Sequence, residues 1–181
     1  MRRRTAPLKD EDRVIRDPER SRERTMNRAV KLLAAKPRSI GELRERLLEK
    51  PWTNSEIVNA VIEKLQSYDY LNDEKYASDL ALSRLRQRPQ GKRKLRQTLS
   101  RKQLERETVD AAIETAFAKL PEAEMIDAAI EKRLRLKGRP ESREDIKKFY
   151  DHLLRQGFGF DLVRDRVAAI KIAPSEDPEM E

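Results

Sequence analysis

Residues 43–61 read LRERLLEKPWTNSEIVNAV, and the same apolar spacing returns in residues 95–113 (LRQTLSRKQLERETVDAAI) and residues 149–167 (FYDHLLRQGFGFDLVRDRV). Five columns are apolar in all three segments, which begin 52 and 54 residues apart. The columns are Leu43, Leu95 and Phe149; Leu47, Leu99 and Leu153; Trp52, Leu104 and Phe158; Ile57, Val109 and Val163; Val61, Ile113 and Val167. Steps of four residues keep apolar side chains on one helix face. Each segment therefore predicts two helices joined by a short turn that holds an apolar residue.

One more helix-like stretch precedes each segment, at roughly residues 26–36, 74–87 and 122–137. Ser39 and Glu42 form a capping-box pattern, and Asn72 is a typical N-cap residue ahead of Asp73 and Glu74. No sustained alternation typical of a strand occurs. We therefore predict an all-α protein of three tandem three-helix, helix-turn-helix-like repeats that form an elongated, curved solenoid.

The alignment also sets the expected boundaries of the three repeats, at residues 26–73, 74–121 and 122–172. Residues 1–25 carry nine bases and six acids, including Arg2, Arg3 and Arg4, and are expected to form a charged tail that is mostly disordered or loosely helical. Residues 173–181 carry four acids and no base, which predicts an acidic C-terminal tail.

The composition excludes several classes of protein. The chain has 181 residues, no cysteine and one histidine, His152, so disulfides, thiol chemistry and histidine-built zinc sites are not expected. No run of apolar residues exceeds four, which predicts neither a membrane span nor a signal peptide. No glycine-rich phosphate loop occurs. We expect a cytoplasmic protein that has no metal or cofactor and is not an enzyme.

Positive charge is concentrated in the second repeat. The whole chain has a formal charge of +8, and residues 76–121 alone account for +6. Residues 84–106 hold ten bases and one acid, and Lys92 occupies a column that is apolar in the other repeats, at Ile40 and Ile146. Such clustering favours an anionic partner, although a basic face that serves solubility is an alternative. The predicted contact residues are Arg84, Arg88, Lys92, Arg93, Arg96, Arg101 and Lys102.

The pattern resembles the RecX family of bacterial recombinase regulators over roughly residues 26–171. Four segments carry the resemblance: Ala29–Leu33 with Arg38-Ser39-x-x-Glu42-Leu43; Tyr70–Ala77, which is similar to the family's L-[ND]-D-x-x-[FY]-A signature; Gly91-x-x-x-Leu95-x-x-x-Leu99; and Leu153-x-x-x-Gly157-Phe158. The chain departs from the family at Pro51 and Gln103, where a glycine is common, and at Lys92, where an apolar residue is common. These departures concern the turns more than the architecture.

The resemblance implies a non-enzymatic regulator that acts as a monomer in homologous recombination, DNA repair and the SOS response. Family members bind the RecA recombinase, alone or as a filament on single-stranded DNA. They usually inhibit its ATPase, filament extension and strand exchange. The seven cations of the second repeat would then contact the filament or its DNA.

Two other functions remain open from the sequence. One is a direct nucleic-acid-binding protein built from tandem helix-turn-helix-like units, which would bind naked DNA with a steep salt dependence. The other is a helical adaptor with no nucleic-acid role. An enzyme is least favoured, because no paired carboxylates, activated nucleophile or metal cluster is evident.

Overall fold

The structure, a computed structural model, describes Asp10 and residues 13–170. These residues form nine α-helices and no strand, which confirms the all-α prediction. The helices are α1 (Pro18–Ala35), α2 (Ile40–Leu48), α3 (Ser55–Ser67), α4 (Asp73–Gln87), α5 (Lys92–Ser100), α6 (Arg106–Lys119), α7 (Glu122–Lys137), α8 (Arg143–Arg155) and α9 (Phe160–Ala168). The acidic tail predicted at residues 173–181, and Arg2, Arg3 and Arg4, lie outside the described residues.

The first helix begins eight residues before the position that the sequence pattern predicted. Asp17 caps α1 by accepting a hydrogen bond from the Arg20 amide at 3.0 Å, and Pro18 occupies the first turn, where its missing N–H is tolerated. Thr25 is buried and its hydroxyl lies 3.0 Å from the Thr53 hydroxyl. Residues 18–25 are therefore helical and part of the fold, whereas the prediction placed them in a tail that is mostly disordered or loosely helical.

The segment that precedes α1 is hydrogen-bonded to the turn between α2 and α3 through Arg13. The Arg13 guanidinium donates hydrogen bonds to the carbonyls of Leu48 (2.6 Å), Lys50 (2.7 Å) and Thr53 (2.7 Å), and only 3% of its side chain is exposed. Leu48 is the last residue of α2, where helix carbonyls lack partners within the helix, and Lys50 and Thr53 lie in the turn that follows. Arg13 thus satisfies backbone groups that would otherwise be unpaired.

The aligned apolar columns form the core of the protein. Twelve of the fifteen aligned side chains are buried, and Trp52, Leu104 and Val167 are half-buried. The predicted helix starts are also confirmed: Ser39 accepts from the Glu42 amide at 3.0 Å and Asn72 accepts from the Lys75 amide at 2.9 Å. The helix periodicity read from the sequence is therefore the periodicity of the packed interior.

The chain divides into two compact units. The first comprises Met1–Ala77 and Ser100–Thr108, and the second comprises Ser78–Leu99 and Val109–Glu181. The core of the first unit lies among α1, α2 and α3, and a core of the second lies among α7, α8 and α9. The boundaries of the three repeats stay a prediction, because this division runs through the second of them.

In the first unit, the turn after α5 packs against the beginning of α2. The Ser39 hydroxyl donates a hydrogen bond to the Lys102 carbonyl. Gln103 adopts a left-handed backbone conformation, with φ of 54°. A Cβ on Gly41 would lie 2.7 Å from the Gln103 Cβ, so only glycine allows this approach.

In the second unit, the turn after α8 packs in the same way against the beginning of α5. The Gly91 amide donates to the Gln156 carbonyl at 3.0 Å, and the Arg93 amide donates to the Gly157 carbonyl at 3.2 Å. Gly157 has φ of 89° and lies 54 residues after Gln103, at the same place in the repeat. Gln103 therefore preserves the left-handed turn despite its departure from the family pattern.

Candidate nucleic-acid interface

Helix α5 contains several basic residues and no acidic residue. It carries Lys92, Arg93, Lys94 and Arg96 and buries Leu95 and Leu99 completely. Cations at a helix N-terminus interact unfavourably with the helix dipole, by about 0.3–1 kcal/mol each at an exposed site. The Glu122 carboxylate partly compensates, because it accepts a hydrogen bond from the Lys92 amide at 3.0 Å. The start of α5 is thus held by the Glu122 carboxylate and by its contacts with the turn after α8.

Exposed arginines collect where α4 ends and α5 begins. Arg84 and Arg88 are four residues apart, and the Arg88 amide donates to the Arg84 carbonyl at 3.0 Å, so the two side chains share a face. Arg93 follows within the first turn of α5. All three are exposed, and within residues 13–170 none of them forms an ion pair. Arg86, which the prediction left out, is also exposed, but it lies two residues from both Arg84 and Arg88 and therefore points to another side of the helix.

Lys92 keeps a packing role at the position where the other repeats have isoleucine. Its ammonium lies 5.8 Å from the centroid of the Phe117 ring, although the residue as a whole is exposed. A lysine stem can cover apolar surface while the charge stays in water. The change from an apolar residue to a cation therefore retains a contact with α6. We refer to Arg84, Arg88, Lys92 and Arg93 as the α4–α5 cationic surface.

Arg96 differs from its neighbours because it has an acidic partner. Its Nε and Nη2 atoms lie 3.0 and 2.7 Å from one oxygen of Asp110 on α6. Both side chains are well exposed, so the pair contributes about 0–1 kcal/mol. The charge of Arg96 is locally balanced, which reduces its value for an external anion.

The remaining two predicted contact residues lie in the first unit. Arg101 is exposed and has no ion-pair partner in the described part of the chain. Lys102 is 22% exposed, and its ammonium lies 2.9 Å from the Glu42 carboxylate. Burial raises the pKa of Glu42, but the hydrogen bond and charge of Lys102, together with the Ser39 hydrogen bond and the Lys36 charge, hold the pKa below its ordinary value. Lys102 thus serves the interior of this unit.

A second acid, Asp73, completes the polar cluster around the start of α2. Its carboxylate accepts a hydrogen bond from the Ile40 amide at 2.9 Å. Burial raises the pKa of Asp73, and the nearby carboxylates of Glu105 and Glu42 add to this shift. The hydrogen bond from Ile40 opposes it. Asp73 is a structural acceptor here, consistent with its expected place at the start of α4.

The third helix of each repeat does not share the positive charge. Helix-turn-helix proteins place their recognition helix in the major groove, where positive charge is favoured. Helix α3 carries two acids and one base, α6 carries three acids and two bases, and α9 carries two of each. The arrangement therefore suits phosphate contacts from α4 and α5 better than base readout from a third helix.

Among the described residues, no cluster of three or more His, Cys, Asp or Glu side chains could hold a metal ion. None of the helices there is both long enough and apolar enough to cross a membrane.

Comparisons with known proteins point to one family. Residues 26–65 match the model "RecX, first three-helix domain", and residues 72–113, which include the α4–α5 cationic surface, match "RecX, second three-helix domain". The crystal structure of RecX from Lactobacillus salivarius aligns with a TM-score of 0.72 at 21% identity, over 83% of this chain and 96% of that one. This likeness supports the fold.

Curated relatives give the same result. Regulatory protein RecX of Chlorobium limicola is 32% identical over 143 residues, which cover 78% of this chain and 86% of the relative. The protein of the same name from Prosthecochloris aestuarii is 30% identical and is covered to 89% of its length. The relative from Bacillus subtilis is 26% identical and is covered to 58%. With these identities and coverages, the chain belongs to the RecX family of regulatory proteins.

Proposed function

We propose that this chain regulates the RecA recombinase by binding its filament on single-stranded DNA. Binding would lower the rate of ATP hydrolysis and oppose filament extension and strand exchange. The regulatory part of this proposal is supported by the relatives, which are named regulatory protein RecX. The DNA part is supported chiefly by one observation: exposed cations of the α4–α5 cationic surface without an acidic partner in the described residues.

The chemistry of this surface suits a phosphate backbone. Arginine side chains bind phosphate through several N–H donors and keep their charge at any physiological pH. Phosphate contacts position a protein on nucleic acid without reading its sequence. A regulator that acts wherever a filament forms needs this kind of contact, because the filament can cover any sequence.

The second candidate is direct binding to nucleic acid without a recombinase. The same cations favour it, whereas the charge of α3, α6 and α9 argues against a helix-turn-helix reader of duplex DNA. The third candidate, an adaptor without a nucleic-acid role, leaves the clustered arginines unexplained. The affinity for naked DNA, measured at several salt concentrations, separates direct nucleic-acid binding from the adaptor. Only a nucleic-acid-binding protein should bind tightly and lose affinity steeply as salt is added.

The decisive experiment measures RecA ATPase activity on single-stranded DNA while this protein is titrated. The test variant is Arg84→Gln, Arg88→Gln, Arg93→Gln. The control, Lys31→Gln, Lys64→Gln, Lys119→Gln, removes the same charge from exposed lysines on α1, α3 and α6. We expect the wild type and the control to inhibit ATP hydrolysis and the test variant to inhibit weakly.

Each outcome bears on a different part of the proposal. No effect of the wild-type protein on ATP hydrolysis would reject regulation of RecA. Equal inhibition by the test variant and the control would remove the α4–α5 cationic surface from the mechanism. Inhibition well below one molecule per RecA protomer would indicate action at filament ends, whereas inhibition only near saturation would indicate occupancy along the filament.

A further inference from the structure

A second cluster of bases lies at the end of α7, in the third repeat. Residues 132–139 read KRLRLKGR, with five bases and no acid. Helix α7 ends at Lys137, and Gly138 follows with φ of 76°. The cluster belongs to the second unit, as does the α4–α5 cationic surface.

Four of the five bases are available to a partner. Lys132, Arg135, Lys137 and Arg139 are exposed, and none of them forms an ion pair within the described part of the chain. Arg133 differs, because its guanidinium lies 5.4 Å from the centroid of the buried Phe149 ring. We refer to the four exposed bases as the α7 cationic surface.

An exposed apolar side chain interrupts this surface. Leu136 lies between Arg135 and Lys137 and is 67% exposed, which makes it one of the most exposed large apolar residues in the described chain. A cluster that served solubility alone would not require an apolar side chain among its charges. Nucleic acids, in contrast, offer both phosphates for the cations and base faces for an apolar contact.

The helix dipole explains only part of the cluster. Cations in the last turn of a helix are stabilising, which accounts for Arg135 and Lys137. Lys132 lies more than one turn before the helix end, and Arg139 follows the end beyond Gly138. The dipole effect falls off within one turn, so these two charges need another explanation.

The two cationic surfaces lie at opposite ends of α7. The Glu122 carboxylate, in the first turn of α7, accepts a hydrogen bond from the Lys92 amide at 3.0 Å, which places the start of α7 beside the start of α5. Helix α7 has 16 residues, so its ends lie roughly 23 Å apart at 1.5 Å per residue. At the 3.4 Å rise per nucleotide of a stacked, duplex-like strand, this distance corresponds to about seven nucleotides, and a more extended single strand spans it with fewer.

We propose that the α7 cationic surface is a second phosphate-binding surface, and that one single strand of nucleic acid contacts both surfaces of the second unit. The proposal rests on the phosphate-binding part of the proposed function. A strand held at two places binds more tightly than one held at either, because the second contact forms within an existing complex. Strand length therefore becomes a determinant of affinity.

The test measures the affinity of the full chain for poly-dT oligonucleotides of 4 to 24 nucleotides by fluorescence anisotropy at several salt concentrations. The variant is Lys132→Gln, Arg135→Gln, Arg139→Gln. Each lost contact with a single strand lowers the salt slope by about 0.7, so three lower it by about 2 and weaken binding about 100-fold at 0.1 M salt. We expect this loss for the long oligonucleotides and only a small change for the shortest.

Three controls make the result specific. Arg133→Gln lies in the same segment but removes a charge that packs on Phe149, and it should leave the salt slope unchanged. Arg135→Lys with Arg139→Lys keeps the charge and should retain most of the affinity, provided that far-UV circular dichroism shows unchanged helicity. The Arg84, Arg88 and Arg93 variant reports on the first surface alone.

The outcomes separate the two proposals. Wild-type affinity of the α7 variant for 24 nucleotides would overturn the second surface, even where the variant of the first surface binds weakly. Wild-type affinity of the Arg84, Arg88 and Arg93 variant would instead count against the first. Loss of RecA binding by the α7 variant with unchanged DNA affinity would also overturn the inference, because the surface would then fit an acidic protein.

Discussion

The replacement Gly91→Ala should destabilise the second unit, because the added methyl group would prevent the turn after α8 from packing closely against the start of α5. An alanine Cβ would lie 2.3 Å from the Gly157 carbonyl oxygen and 2.4 Å from the Phe158 nitrogen, both backbone atoms. Ordinary contact begins near 3.4 Å, so the two segments would have to separate by about 1 Å. The separation would weaken the hydrogen bonds from Gly91 to Gln156 and from Arg93 to Gly157.

The magnitude follows from these two effects. Each hydrogen bond contributes about 0.5–1.5 kcal/mol, and relieving an overpacked contact costs about 1–3 kcal/mol. The lower entropy of unfolded alanine returns about 0.4–1 kcal/mol. We therefore expect the free energy of unfolding to fall by about 1–5 kcal/mol, which lowers the melting temperature by roughly 2–20 °C.

Urea unfolding followed by circular dichroism measures this loss, and Gly159→Ala is the matched control. Gly159 has φ of −70°, and a Cβ there would meet no atom within 4 Å. Its replacement should change stability by less than about 1 kcal/mol, because the entropy gain and the weaker N-cap oppose each other. Equal unfolding midpoints for the two variants would refute the argument that packing of this turn against the start of α5 stabilises the second unit.

Three further predictions concern single side chains. Replacing Arg13 with Met leaves three carbonyls without their donor, so urea unfolding should show a loss of about 3–5 kcal/mol; a loss below 1 kcal/mol would mean that water replaces the guanidinium. Burial lowers the pKa of His152, and the charges of nearby bases lower it further. As the pH falls, the unfolded chain therefore binds a proton on His152 at a higher pH than the folded chain does. Stability should therefore fall as the pH drops below 6.5, and His152→Gln, which removes the only histidine, should abolish this slope in urea titrations between pH 7.5 and 5.5. Lys102→Met leaves the Glu42 carboxylate without its cation and should cost about 1–3 kcal/mol of stability with DNA affinity unchanged, whereas weaker DNA binding would return Lys102 to the interface.

The core could be predicted from the sequence because it is periodic. The spacing of apolar residues in three segments reports directly on helix faces, and the structure buries most of those residues. Arg13 could not be predicted in the same way. Arg13 belongs to no repeated pattern in its charged segment. Its partners are backbone carbonyls, which every residue has, so the residue types do not reveal them.

The charged site was only partly predictable for a related reason. The run of bases is visible in the sequence, but the acids that neutralise two of them are set by tertiary structure. Asp110 is 14 residues from Arg96, and Glu42 is 60 residues from Lys102. Net charge does not reveal the α7 cationic surface, because residues 122–172 also contain ten acids, which reduce their net charge to +2.

The bases of the two cationic surfaces have opposite effects on the stability of the helices that carry them. Bases at the start of α5 oppose its dipole, so their presence is better explained by a ligand than by folding. Bases in the last turn of α7 favour its dipole, so folding alone could retain them. Stability measurements can therefore support a binding role for Arg93, where loss of charge should stabilise the helix, but not for Arg135. For the α7 cationic surface, only the dependence of affinity on strand length and salt separates binding from helix stabilisation.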